Sequence, residues 1–385
     1  MSDRIYLDWN ATTPLRDEAR RAMSDALDLP GNASSVHAEG RQARKVIEHA
    51  RAAVAAAVGA QPRNVVFTSG GTEGNALALA PNVRRGSSPA VERLLVSAIE
   101  HTSVLSGGRF PSTAIARIKV TPDGIADLDK LREALASGPP ALVSIMLANN
   151  ETGAIQPVAE AAEIVHAGGG LLHVDAVQAF GKIPVNVGDL GADLLTLSAH
   201  KIGGPKGVGA LILAEGVSGA EPLLRGGGQE QSRRAGTENV AGIAGFGAAV
   251  DVAMADLPAA GGRLETLRKR LEAGLRQTPG VIVFSDTVRR LPNTVLFTVP
   301  GLRAETAVIG FDLAGIAVSS GSACSSGKVQ PSHVLEAMGF GADIAQGAVR
   351  LSIGWSTQDA DVDRALKGWR RLVGTLLKGQ GRNTA

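Results

Sequence analysis

The sequence predicts an α/β protein in which a mostly parallel sheet is followed by a smaller α+β region. Short apolar runs alternate with helical patterns as far as residue 254, which is typical of parallel strands covered by helices on both faces. The pattern changes near residue 255, and 385 residues suffice for two or three domains. We therefore expect a large domain over 15–256 and a small domain formed by 1–14 and 257–385.

The large domain is predicted from its apolar runs. Helical patterns cover 15–29, 40–58, 127–136 and 157–167, and a further helix opens at GGTEGNALALA. The predicted strands are IYLDW near the N-terminus, NVVFTS (64–69), RLLVSAIEH (93–101), AIARIKV (114–120), ALVSIMLA (141–148), LLHVDA (171–176) and DLLTLS (193–198).

The second region begins after ADLPAAGG (255–262), whose proline and glycines predict a hinge. The next fifteen residues, RLETLRKRLEAGLRQ, read as a charged amphipathic helix. Strands and helices then follow in mixed order, which indicates an α+β domain. The predicted strands are 281–284, 293–299, 316–319 and 349–353, and the predicted helices are 304–312, 331–338 and 358–377.

Composition excludes several classes of function. Aromatic residues make up only 3% and the net charge is +2, which argues against a nucleic-acid partner. No stretch approaches 18 uninterrupted apolar residues, so no membrane span is expected. MSDRIYLDWN has no basic segment followed by an apolar one, so we expect a cytoplasmic protein. With one cysteine and seven scattered histidines, neither a disulfide nor a metal site is expected.

Lys201 is the first candidate for chemistry. It follows the apolar run DLLTLS and precedes a glycine-rich loop, so it is expected at the mouth of the sheet. Desolvation there lowers the pKa of an amine and makes it a usable nucleophile. A solvated loop lysine is the ordinary alternative. The polar residues that end the other predicted strands decide between a nucleophilic Lys201 and a solvated one.

Those residues indicate a pyridoxal phosphate (PLP) site. Asp175 ends the preceding apolar run, and PLP enzymes need a lysine for the Schiff base and commonly an aspartate facing the pyridinium nitrogen. Ligands bind beyond the carboxyl ends of such strands. Thr72 lies at a helix N-terminus, which favours an anion such as phosphate. Further polar residues at strand ends or close behind them are His101, Asn150, Gln178, Ser198 and His200.

Long motifs resemble one family over essentially the whole chain. HVDAVQAFGKIPV and LLTLSAHKIGGPKGVGAL resemble the PLP-lysine region of class V aminotransferases, and within them the NifS/IscS-type cysteine desulfurases. YLDWNATTPL, GNASSVHAEGRQAR, FTSGGTEGN, EHTSVL, VSIMLANNETGAIQP, RRAGTENV and SSGSACSSG also resemble family motifs, in family order. The resemblance implies the PLP-dependent transferase fold type I, with a mostly parallel seven-stranded sheet in the large domain.

The resemblance also implies residue roles. Lys201 would carry PLP and move the Cα proton, His101 would stack on the ring, and Asp175 would pair with the ring nitrogen. Gln178 and Asn150 would address the ring oxygen and its surroundings. The phosphate would be held by Gly71, Thr72, Ser198 and His200, and by Thr237 of a partner subunit in a homodimer. One departure is Gly74-Asn75-Ala76, where the family often has Ser/Ala-Asp-Asn; it puts local hydrogen bonding near the phosphate helix in doubt.

Cys324 and Arg350 complete the implied site. Cys324 lies in SSGSACSSGK, a small polar stretch expected to form a mobile loop over about 320–330. The resemblance makes Cys324 the nucleophile that takes sulfur from L-cysteine as a persulfide, for iron–sulfur assembly or another acceptor protein. Arg350 would clamp the substrate carboxylate, a geometry that guanidinium suits.

Two other functions stay open. A class V aminotransferase or a selenocysteine lyase would use the same scaffold, and aminotransfer would need no thiol at Cys324. A sulfur-carrier scaffold without cofactor is the non-enzymatic alternative.

Overall fold

The computed structural model describes residues 4–321 and 331–380, and the side chains of 375–380 are excluded from that description. Its strands, in chain order, are β1 (Ile5–Tyr6), β2 (Val65–Thr68), β3 (Arg84–Arg85), β4 (Arg93–Ser97), β5 (Ile115–Ile118), β6 (Ala141–Ser144), β7 (Leu171–Asp175), β8 (Leu194–Ser198), β9 (Gly209–Leu213), β10 (Val217–Ser218), β11 (Ile282–Val283), β12 (Thr294–Thr298), β13 (Ile316–Ala317), β14 (Ser319–Ser320) and β15 (Val349–Ser352).

The described helices surround and connect these strands. Short 3-10 helices lie at Pro62–Asn64, Ser112–Ala114, Ala199–Lys201 and Gln229–Ser232. The α-helices are α1 (Asp17–Leu27), α2 (Ala38–Ala57), α3 (Gly71–Ala78), α4 (Thr102–Leu105), α5 (Leu128–Ala136), α6 (Val158–Ala167), α7 (Val240–Leu275), α8 (Ala304–Leu313), α9 (His333–Ala337), α10 (Ala342–Ala345) and α11 (Asp359–Gln380).

The central sheet has seven strands in the order β2-β9-β8-β7-β6-β4-β5. The neighbours from β8 to β5 pair in parallel, and only β9 runs antiparallel to its neighbours β2 and β8. The prediction of a mostly parallel seven-stranded sheet is confirmed. β9 was not predicted, although GALIL is an apolar run after a glycine-rich turn and carried the signal of a buried strand.

Both faces of this sheet are buried, which explains why its strands are apolar runs without polar alternation. Along β4, Leu95 packs into one core with the helices α2, α5, α6 and α7. Its neighbours Leu94 and Val96 pack into the opposite core, which includes residues of α3. Because both faces of the inner strands are buried, each face must fit the side chains of the core against which it packs.

The C-terminal part forms an antiparallel sheet in the order β11-β12-β15-β14. The N-terminal strand β1 pairs in parallel with β13, with Ile5 opposite Ile316. Ile5 also shares a core with Phe297 and Trp369. The N-terminal segment therefore packs with C-terminal elements, while the domain limits at 14/15 and 256/257 stay a prediction.

The predicted hinge at 255–262 is wrong, because these residues lie inside the continuous helix α7. One end of α7 buries Phe246 and Val250 in the large core, and the other buries Leu267 and Leu271 in the C-terminal core. Packing at both ends holds the helix together across Pro258, which is exposed.

Length and hydropathy also make α7 the one helix among the described residues that could cross a membrane. The sequence criterion, a stretch of uninterrupted apolar residues, did not identify α7 as a candidate. Half of its most apolar window is buried inside the protein, as core helices are.

We expect Pro258→Ala to stabilise the protein by about 1 to 3 kcal/mol, because alanine restores the missing N–H and removes a ring from a helix interior. In a flexible hinge, the same substitution would destabilise instead. Pro122→Ala is the matched control. Pro122 lies within a turn closed by the Gly124 N–H and the Thr121 carbonyl, 2.9 Å apart, so its loss should lower stability. Urea denaturation measures the change in the free energy of unfolding of each variant. A lower free energy of unfolding for Pro258→Ala would contradict the continuous helix.

Candidate active site

A cavity of about 260 Å³ opens at the carboxyl ends of the central parallel strands, where open α/β sheets bind ligands. It lies between the loops that follow β4, β6, β7 and β8 and the first turn of α3. Its lining contains the following predicted site residues: Gly71, Thr72, His101, Asn150, Asp175, Gln178, Ser198, His200 and Lys201. The remaining lining residues were not predicted: Ala11, Asn75, Ser103, Met146, Ala148 and Val177.

The parallel pairing of β7 with β8 brings the carboxylate and the lysine together. Asp175 is the last residue of β7, and it pairs with Thr196 of β8. Lys201 lies in the 3-10 turn directly after β8. Asp175 is only 6% exposed, and its Oδ1 accepts from the Val177 N–H at 3.0 Å. Asp175 and Lys201 therefore face one cavity.

The Lys201 amine lies against the N-terminal segment. Its Nζ donates to the carbonyl oxygens of Asn10 at 2.5 Å and Ala11 at 2.9 Å. Asn10 is fixed in turn, because its amide nitrogen donates to Thr294 Oγ1 at 2.9 Å and its backbone N–H to Ser352 Oγ at 2.9 Å. The N-terminal motif YLDWNATTP thus forms a wall of the site through its backbone.

A chain of hydrogen bonds connects Asp175 to His101. Asn75 Nδ2 donates to Asp175 Oδ2 at 2.8 Å and to Ser103 Oγ at 2.9 Å. The Ser103 hydroxyl lies 2.8 Å from His101 Nδ1, which also accepts the Ser103 backbone N–H at 3.2 Å. Nδ1 is therefore an acceptor, and the proton of neutral His101 is on Nε2.

Burial keeps both histidines of the cavity uncharged at neutral pH. Desolvation lowers the pKa of His101; nearby Asp175 opposes this shift and Lys201 adds to it. The pKa of His200 falls to about 4, chiefly through burial and then through the charges of Lys201 and Lys206. His200 can therefore contribute hydrogen bonding to an anion, while the positive charge must come from other groups.

Glycines let α3 approach the sheet and direct its N-terminus at the cavity. A Cβ on Gly74 would lie 2.8 Å from Thr196 Cγ2, and a Cβ on Gly209 would lie 2.6 Å from the backbone of Gly70. The first N–H groups of a helix have no partner within the helix and favour an anion. Gly74 and Asn75 are the departure from the family pattern. Gly74 permits close packing, and the Asn75 Nδ2 donates to Asp175 Oδ2.

Arg350 lies behind the cavity wall. It is 2% exposed, and its guanidinium donates to the Asn150 carbonyl at 2.9 Å and to Asp8 Oδ1 at 2.8 Å. Its Nε is buried and has no hydrogen-bond partner among the described residues. Asn150 lines the cavity, so Arg350 is one residue removed from it. The predicted clamp on the substrate carboxylate stays a prediction.

Among the described residues, Thr237 is a predicted site residue that does not line this cavity. Thr237 is exposed and borders a separate cleft with Ser69, Gly207 and Arg234. Its predicted contact with a partner subunit's phosphate stays a prediction. Cys324 lies in 322–330, outside the described residues.

Glu151 is buried beside Gly321 and Ser332, which lie on either side of the segment 322–330 that is outside the described residues. A Cβ on Gly321 would lie 3.2 Å from Glu151 Oε2, and the Ser332 hydroxyl donates to the same oxygen at 2.5 Å. Burial raises the pKa of Glu151 to about 7, against the opposing effects of this hydrogen bond and of Arg350. Sequence reasoning missed Glu151, because NNETG reads as an ordinary polar turn.

Comparison with known proteins fits this geometry. Residues 5–365 match the family described as aminotransferase class-V. The chain belongs to the class V aminotransferase family. It is 40% identical to a cysteine desulfurase IscS of Dictyoglomus turgidum over 98% of this chain and 96% of that protein. It is 43% identical to a cysteine desulfurase of Cereibacter sphaeroides over 97% of each. The structure of a NifS-like protein from Rickettsia africae superposes with a TM-score of 0.88, at 37% identity over 97% of this chain and 100% of that one.

Class V aminotransferases are PLP-dependent, and the residues present fit that cofactor. The cavity holds four groups that suit the four parts of PLP. A lysine amine suits the electrophilic carbon, a buried carboxylate suits the pyridinium nitrogen, an imidazole suits the ring face, and the N-terminus of α3 suits the phosphate. The buried Asn75 Oδ1 has no hydrogen-bond partner within the described part of the chain. Among the described residues, no group of three or more His, Cys, Asp or Glu could hold a metal ion.

Glu151→Gln should alter how the stability of this family member depends on pH. The folded-state pKa of Glu151, about 7, lies above its ordinary value of 4.5, so burial of its ionised form costs stability as pH rises between those values. Glutamine cannot ionise. Relative to wild type, the variant should gain about 2 to 3 kcal/mol between pH 5 and pH 8. Urea denaturation at both pH values measures the change, and an equal pH slope in the two proteins would contradict it. Glu163→Gln, on the outer face of α6, is the control.

Proposed function

We propose that this protein is a PLP-dependent cysteine desulfurase that converts L-cysteine to L-alanine and transfers sulfur to Cys324 as a persulfide. The observation that carries the proposal is the shared cavity of Asp175 and Lys201. Similarity of about 40% over nearly the full chain to cysteine desulfurases supports the reaction class.

Residues of the cavity would hold the cofactor and the substrate. Gly71, Thr72, Ser198 and His200 would hold the phosphate, and Asp175 the ring nitrogen. When bound, PLP withdraws electrons from the substrate's Cα and so activates its Cα–H and Cβ–S bonds. Lys201 would move the Cα proton, and the Nε2–H of neutral His101 is placed to donate a proton or a hydrogen bond. Asn150 and Arg350 would receive the substrate carboxylate.

Sulfur transfer needs a second nucleophile, and the single cysteine supplies it. The Cys324 thiolate attacks the sulfur of the bound cysteine, because the thiolate is the reactive form of a thiol. The new S–S bond forms as the substrate's Cβ–S bond breaks, and the electron pair of that bond remains on Cβ. Protonation there completes L-alanine, and the persulfide stays on Cys324. An acceptor protein such as an iron–sulfur scaffold would then take the outer sulfur.

Aminotransferase and selenocysteine lyase activities are not favoured, since the similar curated proteins are named cysteine desulfurases. An aminotransferase would not need Cys324.

Lys201→Ala and Cys324→Ser should fail at different stages. Lys201→Ala removes the amine that holds PLP, so both the bound-cofactor absorbance and turnover should be lost. Cys324→Ser should keep that absorbance, and added L-cysteine should still perturb it, yet no sulfide should be released. Absorbance spectra and assays of alanine and sulfide, with and without dithiothreitol, distinguish the two. Robust sulfide release by Cys324→Ser would defeat the role of Cys324.

A homodimer would complete the phosphate site through Thr237. Its loop follows a turn in which Glu230, Gln231 and Ser232 all have positive φ, a conformation that ordinary residues adopt only when surroundings enforce it. Glu230 is locked by Arg51 through two bonds of 2.7 and 2.8 Å. This fixed, strained turn presents an exposed Thr237 outward, as a contribution to another subunit requires.

Mixing two inactive variants tests the shared site. Lys201→Ala lacks the amine and Thr237→Arg blocks the phosphate, so each homodimer should be inactive. In a mixed dimer, one site has an intact Lys201 and takes Thr237 from the partner chain. Random exchange should restore about a quarter of wild-type sites, measured as sulfide release after co-refolding. Absence of any recovery, with mixed dimers present by mass spectrometry, would show that Thr237 does not act across subunits.

A further inference from the structure

Lys182 lies beside the cavity without lining it, and nothing in its sequence context gave it a role. It lies four positions after Gln178, and helical turns closed by the N–H groups of Phe180 and Ile183 place the two side chains on one side. Lys182 Nζ donates to Gln178 Oε1 at 2.8 Å and to Asn10 Oδ1 at 3.1 Å. Both lysines, Lys182 and Lys201, border a second small cavity of about 40 Å³ behind the site.

These bonds determine which edge of the Gln178 amide faces the cavity. The other end of the Gln178 amide faces the Asn10 carbonyl, which can only accept, so that atom is the nitrogen and the atom beside Lys182 is the oxygen in either charge state of the lysine. The Gln178 nitrogen donates one hydrogen to the Asn10 carbonyl at 2.9 Å. Gln178 is 6% exposed and lines the 260 Å³ cavity, whereas Lys182 does not. The oxygen is therefore held away from the cavity, and the second N–H of Gln178 is the donor left for it.

The arrangement holds in either charge state of Lys182. Burial lowers the pKa of Lys182 well below its ordinary value, and the charges of Lys201 and Arg350 add to the shift. A neutral amine retains two N–H groups, which is the number of acceptors that face it. Loss of Lys182 would leave Gln178 Oε1 and Asn10 Oδ1 each short of one donor in a poorly solvated place.

We propose that Lys182 is a positioning residue, which holds Gln178 so that its amide presents a hydrogen-bond donor to the ring oxygen of PLP. This role rests on the proposed function only in that PLP must bind in this cavity. It concerns the binding of PLP and not the transfer of sulfur. Lys182 acts through Gln178 and does not touch cofactor or substrate.

A double-mutant cycle tests this role with PLP affinity and protein stability as readouts. The variants are Lys182→Met, Gln178→Leu and the double variant, prepared without cofactor and titrated with PLP. Lys182→Met should bind PLP about tenfold more weakly, while the Tm of the cofactor-free protein should fall only slightly, because removal of a desolvated amine offsets part of the cost of the acceptors that lose a donor. In the Gln178→Leu background, Lys182→Met should add less than about a twofold loss.

Lys206→Met is the matched control, since it removes another positive charge that acts on His200 from an exposed position. It should bind PLP nearly as wild type does. Full additivity in the cycle, an equal loss in Lys206→Met, or a lowered Tm with unchanged PLP affinity would each overturn the positioning role.

A second variant, Gln178→Glu, tests the same donor if Lys182→Met does not fold. Glutamate pairs with Lys182 but offers no N–H, so PLP binding that is not weakened in this variant would also overturn the positioning role. Sulfide release by the wild type is measured separately, so failure of the proposed function is distinguishable.

Discussion

The backbone pairing of β7 with β8 is the interaction on which the site depends. It sets Asp175 opposite Thr196, and the turn after β8 then places Lys201 at the same edge of the sheet. Both strands are buried on both faces, so a shift in register would disrupt the close packing of both cores. Packing within the sheet thereby holds a carboxylate and an amine in the lining of one cavity. Their own hydrogen bonds, to Asn75 and to the Asn10 carbonyl, satisfy polar groups that burial would otherwise make costly.

Desolvation is also the common cause of the unusual protonation around the site. It disfavours charged forms, so bases lose protons and acids retain them. The pKa of Glu100, fully buried behind Asp175, is raised well above its ordinary value by burial and by the Asp175 charge. The same burial lowers the pKa of the neighbouring bases: His101, Lys182 and His200. Burial therefore favours the neutral forms of these groups, and the charges that remain near the cavity act with little screening by solvent.

Much of the fold could be predicted because the sequences of buried parallel strands are short runs of mostly apolar residues, as in LLHVD and LLTLS. The helix α7 could not be predicted, because Pro258 and two glycines are local signals for a break while the two cores that hold its ends are distant in sequence. Among site residues, those next to strand ends were recognisable. Asn75 lies within a helix and Lys182 in a turn, where polar residues are ordinary, so no local pattern distinguished them.

The sequence by itself determined the chemistry available: one lysine and one aspartate after consecutive apolar runs, a glycine turn opening a helix, and a single cysteine. Alternation of strands with helices was enough to place those groups at one edge of a sheet, because parallel strands share the direction of their carboxyl ends. Only the tertiary structure decided which edge of the Gln178 amide faces inward, which nitrogen of His101 carries the proton, and which acids and bases are neutral. Those properties depend on hydrogen bonds and desolvation between residues far apart in the chain, such as Asn10 with Lys182 and Asn75 with Ser103, and spacing along a sequence does not record them.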